Sequence, residues 1–241
     1  MTKKFSIFLC LFLPAIGFSQ WEDVELSEFA DAILAVEERI PDASSYSYEA
    51  KYLLYEELTG VDPKMTFDFD MTYNKTAGLM NMSQFGKLVV QNMKIQITVD
   101  TAENMIIVNQ PEMSYFTKKA ASDFDMLLKS QCTAKRKITT SNEIYSLEFA
   151  PGARYRGAEI WIQKNGMVNK FILYSGVDLL DDSEKEDKIV HPRMEVRYDK
   201  YVIGKNAETK ELLNPTNFFS DLTNLTPTVI YKDYEIIDLR N

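Results

Sequence analysis

Histidine and cysteine are nearly missing from this 241-residue chain, which carries one histidine, His191, and two cysteines, Cys10 and Cys132. Zinc sites are built from several Cys or His ligands, so this inventory excludes the usual structural zinc site. A Ser-His-Asp arrangement would have to use His191, which precedes Pro192 behind an acidic stretch and reads as an exposed side chain. Cys132 has no histidine near it in sequence and reads as a buried or idle thiol. Clustered basic residues are scarce as well: Lys135-Arg136-Lys137 is the one triplet, and it reads as a solvated strand edge. At a net charge of −9 the chain is a poor match for phosphate backbones, which argues against nucleic acid as a partner.

Glycine-rich phosphate loops, a G-x-S-x-G elbow and a helical H-E-x-x-H are also absent. Long apolar runs occur only at the start, where Lys3-Lys4 precede an apolar stretch from Phe5 and small residues sit at Gly17 and Ser19. That pattern predicts a secretory signal peptide over 1–19, cut before Gln20 and delivering the rest to the periplasm. Its removal takes the net charge from −9 to −11 and leaves Cys132 as the one thiol, so no intramolecular disulfide is expected. No Pro/Gly/Ser linker divides residues 20–241, which predicts a single domain.

One segment has the 3.6-residue period: Leu26, Phe29, Ala30, Ile33, Leu34, Ala35 and Ile40, with Ser27 as a candidate cap and Pro41 behind it. The remainder alternates with period two. Tyr46, Tyr48, Ala50, Tyr52 and Leu54 share one face of a predicted strand, and strands follow over 65–74, 88–99, 105–108, 144–149, 158–163, 167–174, 193–203 and 229–239. Lys164-Asn165-Gly166 marks a hairpin. Short helical pieces are expected over 122–130 and 215–222, and a solvated acidic loop over 177–189. The fold class is therefore mainly β with helices (α+β), about ten antiparallel strands with one long helix.

The stretch Asp68-Phe-Asp70-Met-Thr72 matches D-x-D-x-T, the nucleophile signature of haloacid-dehalogenase-type phosphatases. Such a nucleophile ends a buried parallel strand. Here a turn at Val61-Asp-Pro-Lys64 precedes the motif and alternation runs through it, so Phe67, Phe69, Met71 and Tyr73 are expected inside and both aspartates in water. No residue pair stands out as catalytic, and no metal or cofactor is implied.

Methionine is abundant, with ten after residue 19, and Met65, Met71, Met80, Met82, Met93, Met105 and Met113 fall in or beside strands. Met adapts to irregular apolar shapes. Each one alone reads as core; together they suggest an apolar surface larger than one helix covers, able to take an acyl chain at about 0.8 kcal/mol per buried CH₂.

Four stretches carry a family resemblance: "SSYSYEAKY" after the first helix, "DTAENMIIVNQPEMSYF", "GAEIWIQKNGMVNKFILYS" and the terminal "YEIIDLR". Their order resembles the periplasmic carriers that ferry lipoproteins to the outer membrane (LolA-like). The resemblance implies a strongly curved antiparallel half-barrel around the N-terminal helix, no enzymatic activity and no cofactor. It also implies acyl chains of lipids or lipoproteins as ligand, with membrane donor and acceptor proteins as partners. The family's lid-closing arginine has no assigned counterpart, although Arg39 lies on the first helix, and the stretches 177–189 and 209–228 are additional to the family plan. The expected apolar lining is Ile33, Tyr48, Phe67, Phe69, Met71, Met80, Met82, Ile95, Ile97, Met105, Ile107, Trp161 and Phe171. A one-residue slip would move each strand's contribution to the other face. Two other readings remain: a cell-envelope structural or protein-interaction module with a filled core, and a hydrolase on a β-scaffold.

Overall fold

The structure is a computed structural model and describes residues 20–39, 45–112, 132–176, 179–181, 188–204 and 211–240. The elements are β1 (Glu22–Val24), α1 (Leu26–Arg39), β2 (Ser45–Tyr55), β3 (Met65–Asn74), β4 (Leu79–Gln84), β5 (Lys87–Asn92), β6 (Gln96–Asp100) and β7 (Met105–Asn109). There follow β8 (Cys132–Ile138), β9 (Asn142–Phe149), β10 (Tyr155–Gln163), β11 (Val168–Ser175), β12 (Leu179–Asp181), β13 (Lys188–Val190) and β14 (Arg193–Ile203). A 3-10 turn Pro215–Asn217, β15 (Phe219–Asp221), β16 (Thr226–Pro227), a second 3-10 turn Val229–Tyr231 and β17 (Glu235–Asp238) complete the chain.

Thirteen strands form one sheet in the order β1-β8-β9-β10-β11-β14-β2-β3-β4-β5-β6-β7-β17, more than the ten expected from sequence. Every neighbouring pair is antiparallel except β17 on β7. Among the described residues β1 and β17 end the sheet without pairing to each other, so it is not a closed barrel. The expected signal peptide (1–19), the 122–130 helix and Met113 lie outside the described residues.

Short polar side chains set most of the turns, because they satisfy backbone N–H groups that the ladder leaves open. Asn74 accepts from Ala77 N, Asn92 from Lys94 N and Ile95 N, and Asp100 from Ala102 N and Glu103 N. The predicted Asn165-Gly166 hairpin is present but differs in detail. Only Gly166 takes a positive φ, 78°, while the Asn165 side chain accepts from Met167 N. This is a longer loop with a register shift at Trp161/Ile162 rather than a two-residue turn.

Sequence expectation and structure part at four other places. Ser27 lies inside α1, whose first turn is marked by Glu28 N donating to Glu25 O at 3.0 Å, so it does not cap the helix. The 177–189 stretch contributes to a β12–β13 pair instead of being wholly loop. The 215–222 segment is a single 3-10 turn running into β15. The terminal strand is four residues long and parallel to its neighbour.

The registers define two faces of the sheet. One, here the helix face, carries α1: Phe29, Ile33 and Val36 pack on Ala134, Tyr145, Leu147, Ala158, Ile160 and Ile162 of β8–β10. Burying these three helix side chains stabilises the contact by about 1.5–3 kcal/mol each. At β5–β7 the apolar side is the opposite one. There Val90, Ile97, Val99, Ile106 and Val108 are covered by Phe218, Phe219 and Leu225 from the C-terminal segment. Asn81 pins that segment to the far face, donating to Leu213 O at 2.9 Å and accepting from Leu213 N at 2.6 Å.

Candidate functional site: an apolar face under and beside α1

Following the register from β10 across to β4 traces one stripe along the helix face. Ile160 faces Phe171, Phe171 faces Val196, Val196 faces Tyr52, and Tyr52 faces Phe67. Ala50 opposite Phe69, Tyr48 opposite Met71, and Tyr73 opposite Met80 continue it. Phe171 packs against both the α1 cluster and the Met/Tyr cluster of β2–β5, so the two are joined. The result is a single apolar surface running from the helix to the middle of the sheet.

At the helix end the surface opens into a cleft of about 320 Å³ lined by Ala32, Ala35 and Val36 of α1 with Ile138 and Ile162. Its rim is polar: Thr139, Asn142, Glu143, Gln163 and Lys164. The space exists because α1 places alanines, not large side chains, at positions 32 and 35, one turn apart on the same side. A volume of this size falls at the lower end of small-molecule sites, and its apolar floor with a polar mouth is the ordinary composition of such a site.

In the middle of the sheet the surface is aromatic. The Tyr48 ring stacks on Phe69 at 5.5 Å and 21°, and lies 5.8 Å from Tyr198 and 5.4 Å from Tyr201. Tyr52 stands 5.9 Å from Phe69 and 6.2 Å from Phe85, and Phe85 meets Phe67 at 4.9 Å. These contacts form an unbroken aromatic series from the exposed β4–β5 turn to the centre of the sheet. Burial pushes the Tyr48, Tyr198 and Tyr201 phenols well above the ordinary tyrosine value and also raises those of Tyr52 and Tyr73. They are neutral throughout the physiological range.

The thirteen expected lining residues divide into groups. Ile33 is buried beneath α1, and Tyr48, Phe67, Phe69, Met71, Met80, Met82 and Phe171 share the helix face in one continuous area. Met105 and Ile107 are on the same face but at the β17 edge, separated from that area by Gln91, Gln96 and Thr98. Three expectations of a shared face fail. Ile95 and Ile97 belong to the far-face cluster under the C-terminal segment. Trp161 also faces the far side, where Glu159 accepts its indole N–H at 3.2 Å and Lys170 lies 3.4 Å from the ring centroid. The expected lining leaves out Tyr52, Met194, Tyr198, Tyr201, Ala32 and Ala35, which the structure adds to it. Tyr52 was legible from its alternation with Tyr48; the two alanines were not, because a gap leaves no mark in sequence.

Asp68 and Asp70 lie on the wet far face, in a polar groove with Glu49, Lys51, Ser83 and Asp199. β3 is antiparallel to both neighbours, so the phosphatase arrangement has no place here. Among the described residues, no group of three or more His, Cys, Asp or Glu side chains is arranged to hold a metal, and no helix is long and apolar enough to cross a membrane. His191 is half-buried rather than exposed, and burial raises the Cys132 thiol.

No protein-family model and no curated protein matches the sequence. Among solved structures, an uncharacterized conserved protein from Thermus thermophilus is similar at 8% identity over 88% of this chain and 99% of that one, with a TM-score of 0.40. A LolA superfamily protein from Nitrosomonas europaea is similar at 10% identity over 71% of this chain and 91% of its own, with a TM-score of 0.29. The lipoprotein LppX of Mycobacterium tuberculosis is similar at 12% identity over 78% and 100%, with a TM-score of 0.36. At these superposition scores the likeness says nothing of a ligand, and the chemistry of the site rests on its own side chains.

Proposed function

We propose that this chain is a non-enzymatic carrier that holds acyl chains of lipids or lipoproteins on the helix face of its sheet, working in the periplasm after export. The observation that carries the reading is the continuity of the apolar stripe from the α1 cleft through Phe171 to the Met/Tyr area. An acyl chain laid along it exchanges water for apolar contact at about 0.8 kcal/mol per CH₂. That gain is large enough to exceed the ordering costs of binding for a long chain. Met71, Met80 and Met82 provide unbranched side chains that repack around differing chain shapes. The stripe needs no catalytic group to do this. Handover to and from membrane proteins belongs to the same proposal.

The rival reading is an envelope interaction module whose core is filled by its own side chains. The burial of Met71, Met80 and Met82, at 4%, 0% and 5% exposure, favours it. Native mass spectrometry of the protein purified from a periplasmic extract, with uptake of a fluorescent acyl ester, separates the two. An acyl-bearing mass and saturable uptake support carriage. A clean ligand-free mass with no uptake assigns the protein to the interaction module.

A further inference from the structure

Five tyrosines crowd the middle of the stripe, and hydrocarbon alone gives their hydroxyls nothing to bond. Tyr46, Tyr48 and Tyr52 come from alternate positions of β2 and stand on one face. Tyr198 and Tyr201 come from β14, where a three-residue separation would place them on opposite faces of a regular strand. A bulge between Asp199 and Val202, with Lys200 at φ 47°, turns Tyr201 to the side of Tyr198, and their rings lie 5.8 Å apart. A non-glycine residue in the left-handed region and a broken ladder are the cost of that placement.

Among the described residues the hydroxyls of Tyr48, Tyr52, Tyr198 and Tyr201 make no hydrogen bond, in contrast to Tyr145 and Tyr174, which donate to Glu143 and Glu159. The rings are also close together, with Tyr48 5.8 Å from Tyr198 and 5.4 Å from Tyr201, and those two 5.8 Å apart. The surroundings lack charge. The helix-face positions of β2, β3, β4 and β14 around the cluster are Ala50, Leu54, Met65, Phe67, Phe69, Met71, Met82, Met194 and Val196, with the uncharged Gln84 opposite Phe69. The nearby cations are engaged elsewhere: Lys51 lies opposite Asp68 and Arg197 on the far face, Lys200 donates to Glu49 at 2.8 Å, and Lys87, on the helix face beyond Gln84, is paired with Asp100 at 3.0 Å.

Unpaired phenol donors in an apolar setting select an acceptor that is polar but uncharged. A carboxylate moved here from water would have no cation to offset its desolvation, whereas a carbonyl loses little and gains one or two O–H bonds. We propose that Tyr48, Tyr198 and Tyr201 form a head-group subsite for the uncharged carbonyl of an ester- or amide-linked acyl chain, discriminating against free fatty-acid carboxylate. This rests on the acyl-carrier reading and names the ligand class within it.

The test compares methyl oleate, oleate at pH 8 and 1-octadecene as ligands of the full chain, with Tyr48→Phe and Tyr198→Phe/Tyr201→Phe variants that keep the rings. Methyl oleate is expected to bind at least about tenfold tighter than oleate. Each variant is expected to lower methyl oleate affinity by roughly fivefold per lost hydrogen bond while leaving octadecene unchanged. Oleate binding as tightly as its ester, or variants that bind the ester normally, would overturn the subsite while leaving the carrier intact. Failure of all three ligands to bind overturns the carrier reading itself.

Discussion

The ring of Phe85 meets the ring of Phe67 edge-on, 4.9 Å away at 72°, although Phe85 sits at φ 50° in the β4–β5 turn. With Gly86 at φ 76° this is a two-residue turn with both central residues in the left-handed region, the place for Asn-Gly. A phenylalanine there carries strain of about 1–2 kcal/mol and remains 57% exposed. Aromatic pairs return roughly 0.5–1.5 kcal/mol when well packed, and the contacts with Phe67 and Tyr52 return less at this exposed site, which leaves the strain the larger effect. Phe85→Asn is therefore expected to raise the melting temperature by about 2 °C in a thermal scan. The same variant breaks the aromatic series that leads to Tyr52, and slower uptake of an acyl ester is expected with it. A more stable protein that loads no more slowly would show that Phe85 has no part in binding.

Arg193 holds the β2–β3 connection. Its guanidinium donates to Glu57 O at 2.8 Å, Leu58 O at 2.5 Å and Gly60 O at 2.7 Å, and lies 3.8 Å from the Tyr55 ring centroid. A lysine ammonium has neither the fork nor the flat face needed for all four contacts. Arg193→Lys is expected to lose about 1.5–3 kcal/mol in denaturant unfolding, since carbonyls ordered by the fork lose their partners. Unchanged stability would mean that solvent replaces the fork at little cost.

How far the site was legible depended on which strand was being read. β2 and β3 alternate cleanly, and their registers put Tyr48, Phe67, Phe69 and Met71 on one face as the period of two requires. In β5–β7 large apolar residues are adjacent, Val89-Val90 and Ile106-Ile107-Val108, which signals burial on both sides. Which face would be covered by what depended on Phe218 and Phe219, more than a hundred residues further along. Trp161 was misplaced because its size outweighed its company: Glu159, Trp161 and Gln163 alternate against Ile160 and Ile162. The β14 bulge, which brings Tyr201 to the site, depends on a left-handed Lys200 that no local residue preference announces.

Acid should weaken this fold through Asp100. Lys87 bonds its carboxylate, with the ion pair at 3.0 Å, and the Glu103 and Ala102 amides donate to it as well. Together they hold the carboxyl below the ordinary aspartate value. A carboxyl depressed in the folded state stabilises at pH above its unfolded value near 3.9 and loses that contribution as pH falls through the folded value. Urea unfolding followed below about pH 4 is expected to show a steeper loss of stability for the unmodified chain than for Asp100→Asn. Parallel pH curves would assign acid sensitivity elsewhere, with Asp221 and Asp238, also held low by their partners, the next candidates.

The α1 cleft gives the most direct handle on capacity. Ala35 is exposed on the helix yet lines the space together with Ala32 and Val36, so a larger side chain at 35 has room without displacing the core. Ala35→Phe loses roughly 0.5 kcal/mol of helix propensity, and the ring regains part of that by covering Ile138 and Ile162 across the cleft. Stability within about 0.5 kcal/mol of the unmodified chain is expected. The filled cleft leaves no room for the end of a long chain, so affinity should fall more for an eighteen-carbon ester than for an eight-carbon one. Titrating both esters against both proteins reads this directly. An equal effect on the two lengths would place the chain end outside the cleft. A loss confined to the long ester would fix its direction along the stripe, tail beneath α1 and carbonyl toward Tyr48.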